Sequence, residues 1–227
     1  MTALATEAPA VQPVPSAAGL YAGLGAAERY IHRTRDASWI AMLRRNGVET
    51  LPGRAIAELG CGDGAFLRTL LHYGAEASRL AAIDVDVRRV ARARAVLPGV
   101  SITVGDIACL PYEDTAFDLA FAFTAFSSML DLQARRHAAL EAMRILRTGG
   151  VLVVYDFWTN PTNRRVRALP EGELRHMFSN RPTEIERVTL APPLVRLLRG
   201  RRALCRPLER LPFLRTHLLA VVKKEVS

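Results

Sequence analysis

The chain of 227 residues has few cysteines, and their spacing pairs none of them. Cys61, Cys109 and Cys205 lie far apart, are odd in number and form no C-x-x-C motif, which argues against a disulfide framework or a thiolate metal site. No apolar run reaches the roughly 18 residues that a membrane-spanning helix needs. The first residues also lack the basic start and apolar block of a signal peptide. These absences predict a cytoplasmic protein with reduced thiols.

Negative charge is also scarce. The sequence has 31 Lys and Arg residues against 22 Asp and Glu residues, which gives a formal net charge of +9. Residues 164–215 contain 13 arginines and five acids. Such a stretch can contact an acidic substrate, a nucleic acid or a membrane surface, or it can be the solvated surface of an arginine-rich protein. No zinc knuckle, oligonucleotide-binding barrel or aromatic-basic platform is visible, so nucleic acid is the least favoured partner.

Short apolar runs alternate with helical patterns from residue 55 onwards. Strand–helix alternation with nearly continuous apolar strands is typical of a parallel sheet covered on both faces, and right-handed crossovers then give a doubly wound α/β fold. The predicted strands are residues 55–59, 80–85, 101–104, 117–123, 151–157, 186–190 and 217–223. The predicted helices are residues 26–46, 65–73, 87–97 and 133–146, with short helices in residues 191–214.

The first strand leads into a glycine-rich turn, Glu58-Leu59-Gly60-Cys61-Gly62-Asp63-Gly64. Ligands of doubly wound folds bind where the strands end, and glycines there allow positive φ and a close approach of the backbone. The spacing is G-x-G-x-G rather than G-x-G-x-x-G, and Glu58 and Asp63 would repel a pyrophosphate. The turn therefore suits a ligand with a positive centre and an amino group. Cys61 supplies a small side chain there, and nothing basic lies beside it to hold a thiolate.

Acidic residues follow the second and third strands. Asp84 lies 20 residues past Gly64, where a carboxylate can accept both hydroxyls of a ribose. Asp86 is better placed to cap the following helix, which leaves Asp84 free for that role. Asp106 can accept the exocyclic amine of an adenine, or it can simply form the turn.

Four sequence blocks in this order resemble class I S-adenosylmethionine (SAM)-dependent methyltransferases. They are AELGCGDG, LAAIDVD, GDIACLPYEDTAFDLAFAF and LEAMRILRTGGVLVVYDF, within residues 54–157. The resemblance implies a Rossmann-like methyltransferase fold with a mostly parallel seven-stranded sheet, an N-terminal helical lid and a small helical cap near the C-terminus. The composition of residues 1–19, with almost no charge, predicts a flexible tail. Residues 20–227 are expected to form a single methyltransferase domain, with a lid in 20–50, a SAM-binding core in 54–157, a substrate cap with strand six in 158–215 and the last strand in 216–227.

The resemblance also implies roles for single residues. The glycines of the turn would lie under the methionine and ribose parts of SAM, and Glu58 would contact the methionine amino group. Glu58 stands where many members have Asp, and Phe126-Ser127-Ser128-Met129 replaces a stretch that is often rich in His. The predicted cofactor-binding residues are Glu58, Gly60, Cys61, Gly62, Asp84, Val85, Asp106, Ile107 and Thr124.

A base is required only if the methyl acceptor must lose a proton before it attacks. Three residues are candidates: Asp156 at the end of the fifth strand, His32 in the lid and His176 in the cap. Aromatic side chains can exclude water from the pocket and face a sulfonium. The candidates for this wall are Tyr21, Tyr30, Phe126, Phe157 and Trp158.

Several acceptors remain open. The arginines of the cap, among them Arg164, Arg165, Arg167 and Arg175, favour an acidic small molecule methylated on O or N, and less readily on C. The leucines and arginines of residues 194–214 resemble an interfacial helix and suit a lipid-linked acceptor with peripheral membrane contact. A nucleic-acid methyltransferase lacks support, because no N/D-P-P-[YFW] motif follows the fourth strand. An oxidoreductase or a non-catalytic nucleotide-binding domain on the same fold is the remaining alternative.

Overall fold

The computed structural model describes residues 20–21, 23–159, 166–179 and 181–225. The predicted tail of residues 1–19 and the cap residues Arg164 and Arg165 lie outside this description. The helices are α1 (Ala26–Arg45), α2 (Ala65–His72), α3 (Val87–Val96), α4 (Leu132–Arg144), α5 (Glu171–Met177), α6 (Pro192–Leu197) and α7 (Arg202–Glu209). The strands are β1 (Ile56–Leu59), β2 (Leu80–Asp84), β3 (Ser101–Val104), β4 (Phe117–Phe123), β5 (Leu146–Phe157), β6 (Thr183–Leu190) and β7 (Arg215–Lys223).

The seven strands form one sheet in the order β3-β2-β1-β4-β5-β7-β6. The pairs from β3 to β5 are all parallel, whereas β7 runs antiparallel to both β5 and β6. This mixed but mostly parallel sheet with helices on its faces confirms the predicted doubly wound α/β fold. The chain order reverses between β1 and β4, so the crevice for a ligand is expected at the carboxyl ends of these two strands.

The two faces of the sheet are packed differently because successive strand residues point to opposite sides. On β4, Leu119 and Phe121 lie in the core shared with α1, α2 and α3. Ala120 and Ala122 face the other way, into the core shared with α4. Trp39 of α1 is 1% exposed and meets the ring of Phe121 edge-on at 5.7 Å. The N-terminal helix α1 is therefore part of the main core.

The largest difference from the predicted elements lies at the start of β5. We expect Thr148-Gly149-Gly150 to end a helix, but α4 already ends at Arg144 and β5 begins at Leu146. Phe117 pairs with Leu146, whereas Leu119 pairs with Val151, so the register shifts at an irregularity in the strand. The two glycines serve that irregularity, since Gly149 has φ +77°.

The cap near the C-terminus consists of α6, α7 and a 3₁₀ turn at Pro212–Leu214, inserted between β6 and β7. Pro192 begins α6, where its missing N–H costs nothing. Val195 and Cys205 pack with Ala27 and Tyr30 of α1 in a small separate core. Within the described ranges, no helix combines the length and apolar character that crossing a bilayer requires.

Candidate active site

A cleft of about 530 Å³ opens at the carboxyl ends of β1, β2, β3 and β4. Its walls are the residues that directly follow these strands, together with the first turns of α2 and α3. The structure brings all nine predicted cofactor-binding residues to this one cleft: Glu58, Gly60, Cys61, Gly62, Asp84, Val85, Asp106, Ile107 and Thr124.

The glycine-rich turn forms the floor of the cleft. Gly60 and Gly62 have φ of +79° and +55°, a region that side chains disfavour. A Cβ at Gly60 would stand 2.9 Å from the Cβ of Ala125, so no larger residue fits there without a shift. The amides of Gly60 and Cys61 both donate to the carbonyl of Ile83, at 2.8 and 3.0 Å, which locks the turn onto β2. The backbone thus presents a bare, fixed surface to a ligand.

Asp84 links the turn to the end of β2. Its Oδ2 accepts the amide of Gly62 at 2.8 Å and its Oδ1 accepts the amide of Asp86 at 2.9 Å. A carboxylate has about four acceptor positions, so both oxygens can still receive hydroxyl donors from the cleft. Asp86 caps α3 by accepting the amides of Arg88 and Arg89, which confirms its predicted capping role.

Glu58 is buried beneath the turn, and its carboxylate has an unsatisfied oxygen. It is 3% exposed, and its Oε2 has no hydrogen-bond partner among the described residues. Burial raises the pKa of Glu58 to about 8; the charges of Asp84 and Asp63 add to this, whereas Arg35 opposes it. A cationic group that entered the cleft beside Glu58 would favour its charged form.

Asp106, Ile107 and Val85 form the far end of the cleft. Asp106 is exposed and accepts the amide of Ala108 at 2.9 Å, which leaves its second oxygen available. Ile107 is buried, and Val85 is 75% exposed, an unusual position for a large apolar side chain. The arrangement offers one acceptor between two apolar surfaces.

Thr124, directly after β4, has φ +56°, which is rare for a β-branched residue. Its amide donates to the carbonyl of Tyr155 at 2.7 Å, and its hydroxyl donates to the carbonyl of Phe123 at 2.7 Å. These bonds hold a conformation that costs about 1–3 kcal/mol in general. The position of Thr124 is therefore set by β4 and β5 together.

Arg35 is a residue of the cleft that sequence reasoning missed. It comes from α1, and its guanidinium lies 5.4 Å from the ring centre of Phe66 and 5.6 Å from that of Phe123. Nε and Nη2 both donate to Oδ1 of the buried Asp36, at 3.0 and 2.8 Å. No local motif marks Arg35, because its position depends on how α1 packs across the sheet. Basic residues on a predicted lid helix were the one available signal.

The three base candidates do not line this cleft. Asp156 is fully buried behind it and accepts the amides of Ser127 and Phe157, and burial raises its pKa to about 6. His32 stacks on Tyr21 with ring centres 5.3 Å apart, and burial lowers its pKa. His176 is exposed on α5. Each therefore needs a rearrangement to reach a ligand in the cleft.

The aromatic wall also differs from the prediction. The cleft is bordered by Phe66 and Phe123, whose rings stack 3.9 Å apart, and not by any of the five expected aromatic residues. Among those five, Tyr30 lines a separate cleft on the other side of α1. Cys61 does border the site, but burial raises the pKa of its thiol to about 12, so it is not a thiolate nucleophile at neutral pH.

Comparison with known proteins identifies the domain that carries this cleft. Residues 57–154 match the model of the family described as Methyltransferase domain. A probable SAM-dependent methyltransferase of Mycolicibacterium smegmatis is 35% identical over 107 residues, which cover 45% of this chain and 37% of that protein. The 2-methyl-6-phytyl-1,4-hydroquinone methyltransferase of Synechocystis is 31% identical over 131 residues, which cover 56% of this chain and 39% of that protein. The match thus spans 32–39% of the length of the first three curated relatives.

A solved SAM-dependent methyltransferase from Mesorhizobium loti has the same fold. The superposition has a TM-score of 0.59 at 22% identity and covers 80% of this chain and 95% of the other. The chain therefore carries, in residues 57–154, a methyltransferase domain of the class I SAM-dependent family. SAM is the cofactor of that family. The buried Glu58 carboxylate, with an unpartnered oxygen, fits the ammonium group of SAM, and the bare glycine turn fits a close backbone contact.

Proposed function

We propose that the protein is a SAM-dependent methyltransferase that transfers a methyl group to O or N of a small, acidic acceptor. One observation carries the proposal: Glu58, the glycine turn, Asp84 and Asp106 all border a single cleft at the switch point of the sheet. This order of acids matches a ligand that has an ammonium group, a ribose and an adenine in sequence. The acids also disfavour a dinucleotide, whose pyrophosphate would lie among them.

In this proposal the nucleoside half of SAM lies between the ends of β2 and β3. Asp84 accepts the ribose hydroxyls with the oxygens that already hold the amides of Gly62 and Asp86. Asp106 accepts the adenine amine, and Ile107 and Val85 pack on either side of the ring. The 75% exposure of Val85 is consistent with a surface that a flat ligand covers.

The methionine half lies over the glycine turn. Glu58 pairs with the ammonium group, which would bring the pKa of Glu58 down from about 8. Arg35 pairs with the carboxylate, for which its guanidinium is already fixed by Asp36. Thr124 borders the same end of the cleft. Since Arg35 comes from α1, this pairing would give residues 20–50 the lid role that the sequence predicts.

SAM supplies a methyl group that its sulfonium has already activated for in-line displacement. The residues of the chain then have to align the acceptor and exclude water, which can contribute several kcal/mol. None of Asp156, His32 and His176 borders the cleft, so the proposal assigns no proton transfer to them. An acceptor that reacts as a neutral amine or as an already ionised oxygen needs no such group.

A lipid-linked acceptor is the second candidate. Leu197, Leu204 and Phe213 of the cap are 77%, 47% and 69% exposed beside several arginines, as on a peripheral membrane surface. The relative from Synechocystis is named for an acceptor that has a phytyl group. Flotation with anionic liposomes tests this candidate, and a protein that stays entirely in the soluble fraction would exclude it.

The cofactor assignment is tested by calorimetric titration with SAM and, in parallel, with NADH. We expect SAM to bind and NADH not to bind. Asp84→Asn should weaken SAM at least tenfold, because charge-assisted hydrogen bonds contribute about 1.5–3 kcal/mol each. Asp131→Asn is the matched control: Asp131 is an exposed cap of α4, and Asn caps equally well. NADH binding in place of SAM would contradict the proposal.

A further inference from the structure

A second cleft, of about 600 Å³, lies between α1, β6 and the α6–α7 cap. Guanidinium groups dominate its lining, against two carboxylates, those of Glu186 and Glu209. The arginines of this cleft come from elements far apart in the chain, so no sequence motif predicts that they cluster. The six arginines are Arg29, Arg33, Arg187, Arg202, Arg206 and Arg215.

The arginines of this second cleft are not neutralised within the described part of the chain. Eight other arginines lie within 4.0 Å of a carboxylate, but none of these six does. Glu186 is itself bound to Arg45, outside the cleft lining. Gathering like charges in a concave site is unfavourable unless an anion compensates them.

Some of these arginines are held in place by neutral groups. Arg215 donates from Nε to the carbonyl of Glu209 at 2.6 Å and from Nη1 to the carbonyl of Arg187 at 2.7 Å. The guanidinium of Arg187 lies 4.1 Å from the ring centre of Trp158. Arg29 donates to the carbonyl of Leu24. The positive charges are thus oriented without being cancelled, which is the arrangement that an anion-binding site needs.

A buried hydroxyl in the same cleft is also not satisfied by a normal hydrogen bond. Tyr30 is 6% exposed and lines the cleft, and its hydroxyl makes no hydrogen bond of normal geometry among the described residues, although the carboxylate of Glu209 lies nearby. Burial, with a smaller contribution from the Glu209 carboxylate, raises the pKa of Tyr30 well above its ordinary value. The phenol therefore keeps its proton and offers an O–H donor to a ligand.

The second cleft is close to the proposed cofactor cleft. Thr189 lines it, and the Thr189 hydroxyl lies 2.9 Å from the hydroxyl of Tyr155. The ring of Tyr155 is 5.3 Å from that of Phe123, which borders the cofactor cleft. Thr34 and Arg35, consecutive on α1, line the second cleft and the cofactor cleft respectively. Along this path only the side chain of Tyr155 stands between a residue of one cleft and a residue of the other.

From this geometry we propose that the second cleft binds the phosphate or carboxylate groups of the methyl acceptor, an assignment that rests on the proposed function. Guanidinium groups bind both kinds of anion through paired N–H donors. The cluster exceeds what a single carboxylate needs, so the ligand carries at least two negative charges. Of the cap arginines that the sequence suggested, Arg167 and Arg175 do not line this cleft, and Arg175 pairs with Glu171.

The test titrates pyrophosphate and citrate, as a phosphate and a carboxylate probe, at constant ionic strength into three proteins. The first is wild type, and the second is the triple variant Arg33→Ala/Arg202→Ala/Arg206→Ala, whose three side chains are exposed. The third is the charge-matched control Arg68→Ala/Arg92→Ala/Arg136→Ala, with exposed arginines on outer helices. Tyr30→Phe provides a fourth protein that keeps the charge and removes only the hydroxyl.

We expect wild type and the control to bind at least one probe, and the triple variant to bind it roughly tenfold more weakly or worse. Tyr30→Phe should weaken it by a factor of about three to ten. Absence of binding to both probes, or equal binding by both triple variants, overturns the inference. So does loss of tRNA binding in the triple variant when neither probe binds, because the arginines would then be a nucleic-acid surface.

SAM titrations of the same proteins separate this inference from the proposed function. We expect one SAM affinity in wild type and both triple variants, since none of the six substituted residues borders the cofactor cleft. If SAM fails to bind wild type, the proposed function fails whatever the anions do. If SAM binds but the anion results are negative, only the anion site fails.

Discussion

Two features disfavour a side chain at Gly60, in the turn after β1. Its φ is positive, and a Cβ there would stand too close to Ala125. Gly53 is a natural comparison, because it has nearly the same φ, +77° against +79°, but no atom lies within 4 Å of the place where its Cβ would stand. The pair separates the cost of a positive φ from the cost of crowding. At Gly53 only the first applies.

We predict that Gly53→Ala costs about 1–2 kcal/mol of unfolding free energy, the usual cost of the left-handed region for an L-residue. Gly60→Ala should cost at least about 1 kcal/mol more, because its Cβ must also displace Ala125. Gly60→Ala should further weaken SAM tenfold or more, whereas Gly53→Ala leaves SAM affinity unchanged. Urea denaturation and SAM calorimetry measure both effects. Equal losses in the two variants would contradict the close approach.

Single residues of the cleft were predictable where a short motif contains both the strand end and the ligand group. Asp84 and Gly60 are such cases, since each is fixed by its own strand and the turn that follows. Arg35 was not predictable in this way, because its place beside Phe66 depends on α1 crossing the sheet. His176 was inferred from its place in the chain alone; it is exposed on the short helix α5 and does not line the cleft, and its role as a base stays a prediction.

At the scale of the elements, the buried side chain of Arg135 links separate segments on the α4 side of the sheet through hydrogen bonds. Its side chain is 0% exposed. It donates to the carbonyls of Met129, Ala168 and Arg167, at 2.7, 3.2 and 2.6 Å, and to Oε1 of Glu173 at 2.9 Å. One guanidinium thus joins the segment after β4 to the segment that leads into α5.

We expect Arg135→Met to lower the unfolding free energy by about 3–5 kcal/mol, because it leaves buried carbonyls and Glu173 without their donor. Arg136→Met, next along α4, is the control: Arg136 is exposed and should change stability by no more than about 0.5 kcal/mol. Equilibrium denaturation compares them. If Arg135→Met lost no more unfolding free energy than Arg136→Met, the hydrogen bonds of Arg135 would not stabilise the fold as predicted.

The helices and strands were predictable wherever the apolar pattern was long and the residues that end each element were unambiguous. β4 has the predicted bounds because seven residues, almost all apolar, lie between polar segments. The start of β5 was predicted wrongly, because Thr148-Gly149-Gly150 has the composition of a turn. Pairing of Leu146 with Phe117 outweighs that local preference and draws the glycines into the strand.

Across the whole molecule, buried ionisable groups make stability depend on pH. Burial raises the pKa of Glu58 to about 8 and that of Asp156 to about 6, and it lowers the pKa of His217 to about 3. Acids with a raised folded-state pKa stabilise the fold at low pH and lose that contribution as pH rises. His217 affects the pH dependence of stability mainly below pH 6.5, between its lowered pKa and its ordinary one. Between pH 6.5 and 8, Glu58 is therefore the main group of the three whose titration changes stability.

We therefore predict that the unfolding free energy of the ligand-free protein falls from pH 6.5 to 8, by at most about 1.4 kcal/mol per pH unit relative to Glu58→Gln. The variant lacks the buried acid and should show a flatter profile. Glu113→Gln, at an exposed site, should follow the wild-type curve. Chemical denaturation at pH 6.5, 7.25 and 8 measures the profiles. Parallel curves for wild type and Glu58→Gln would refute the prediction.

The position of β7 has a consequence for how the chain folds as it leaves the ribosome. β7 is the last strand in sequence, yet it lies between β5 and β6 and supplies all the strand pairing of β6. The five parallel strands can assemble during synthesis as each one emerges. β6 must wait, with its backbone groups unpaired, until β7 has emerged. A nascent chain thus has unpaired edges on both β5 and β6, open to chaperones and proteases, until the cap and β7 have been translated.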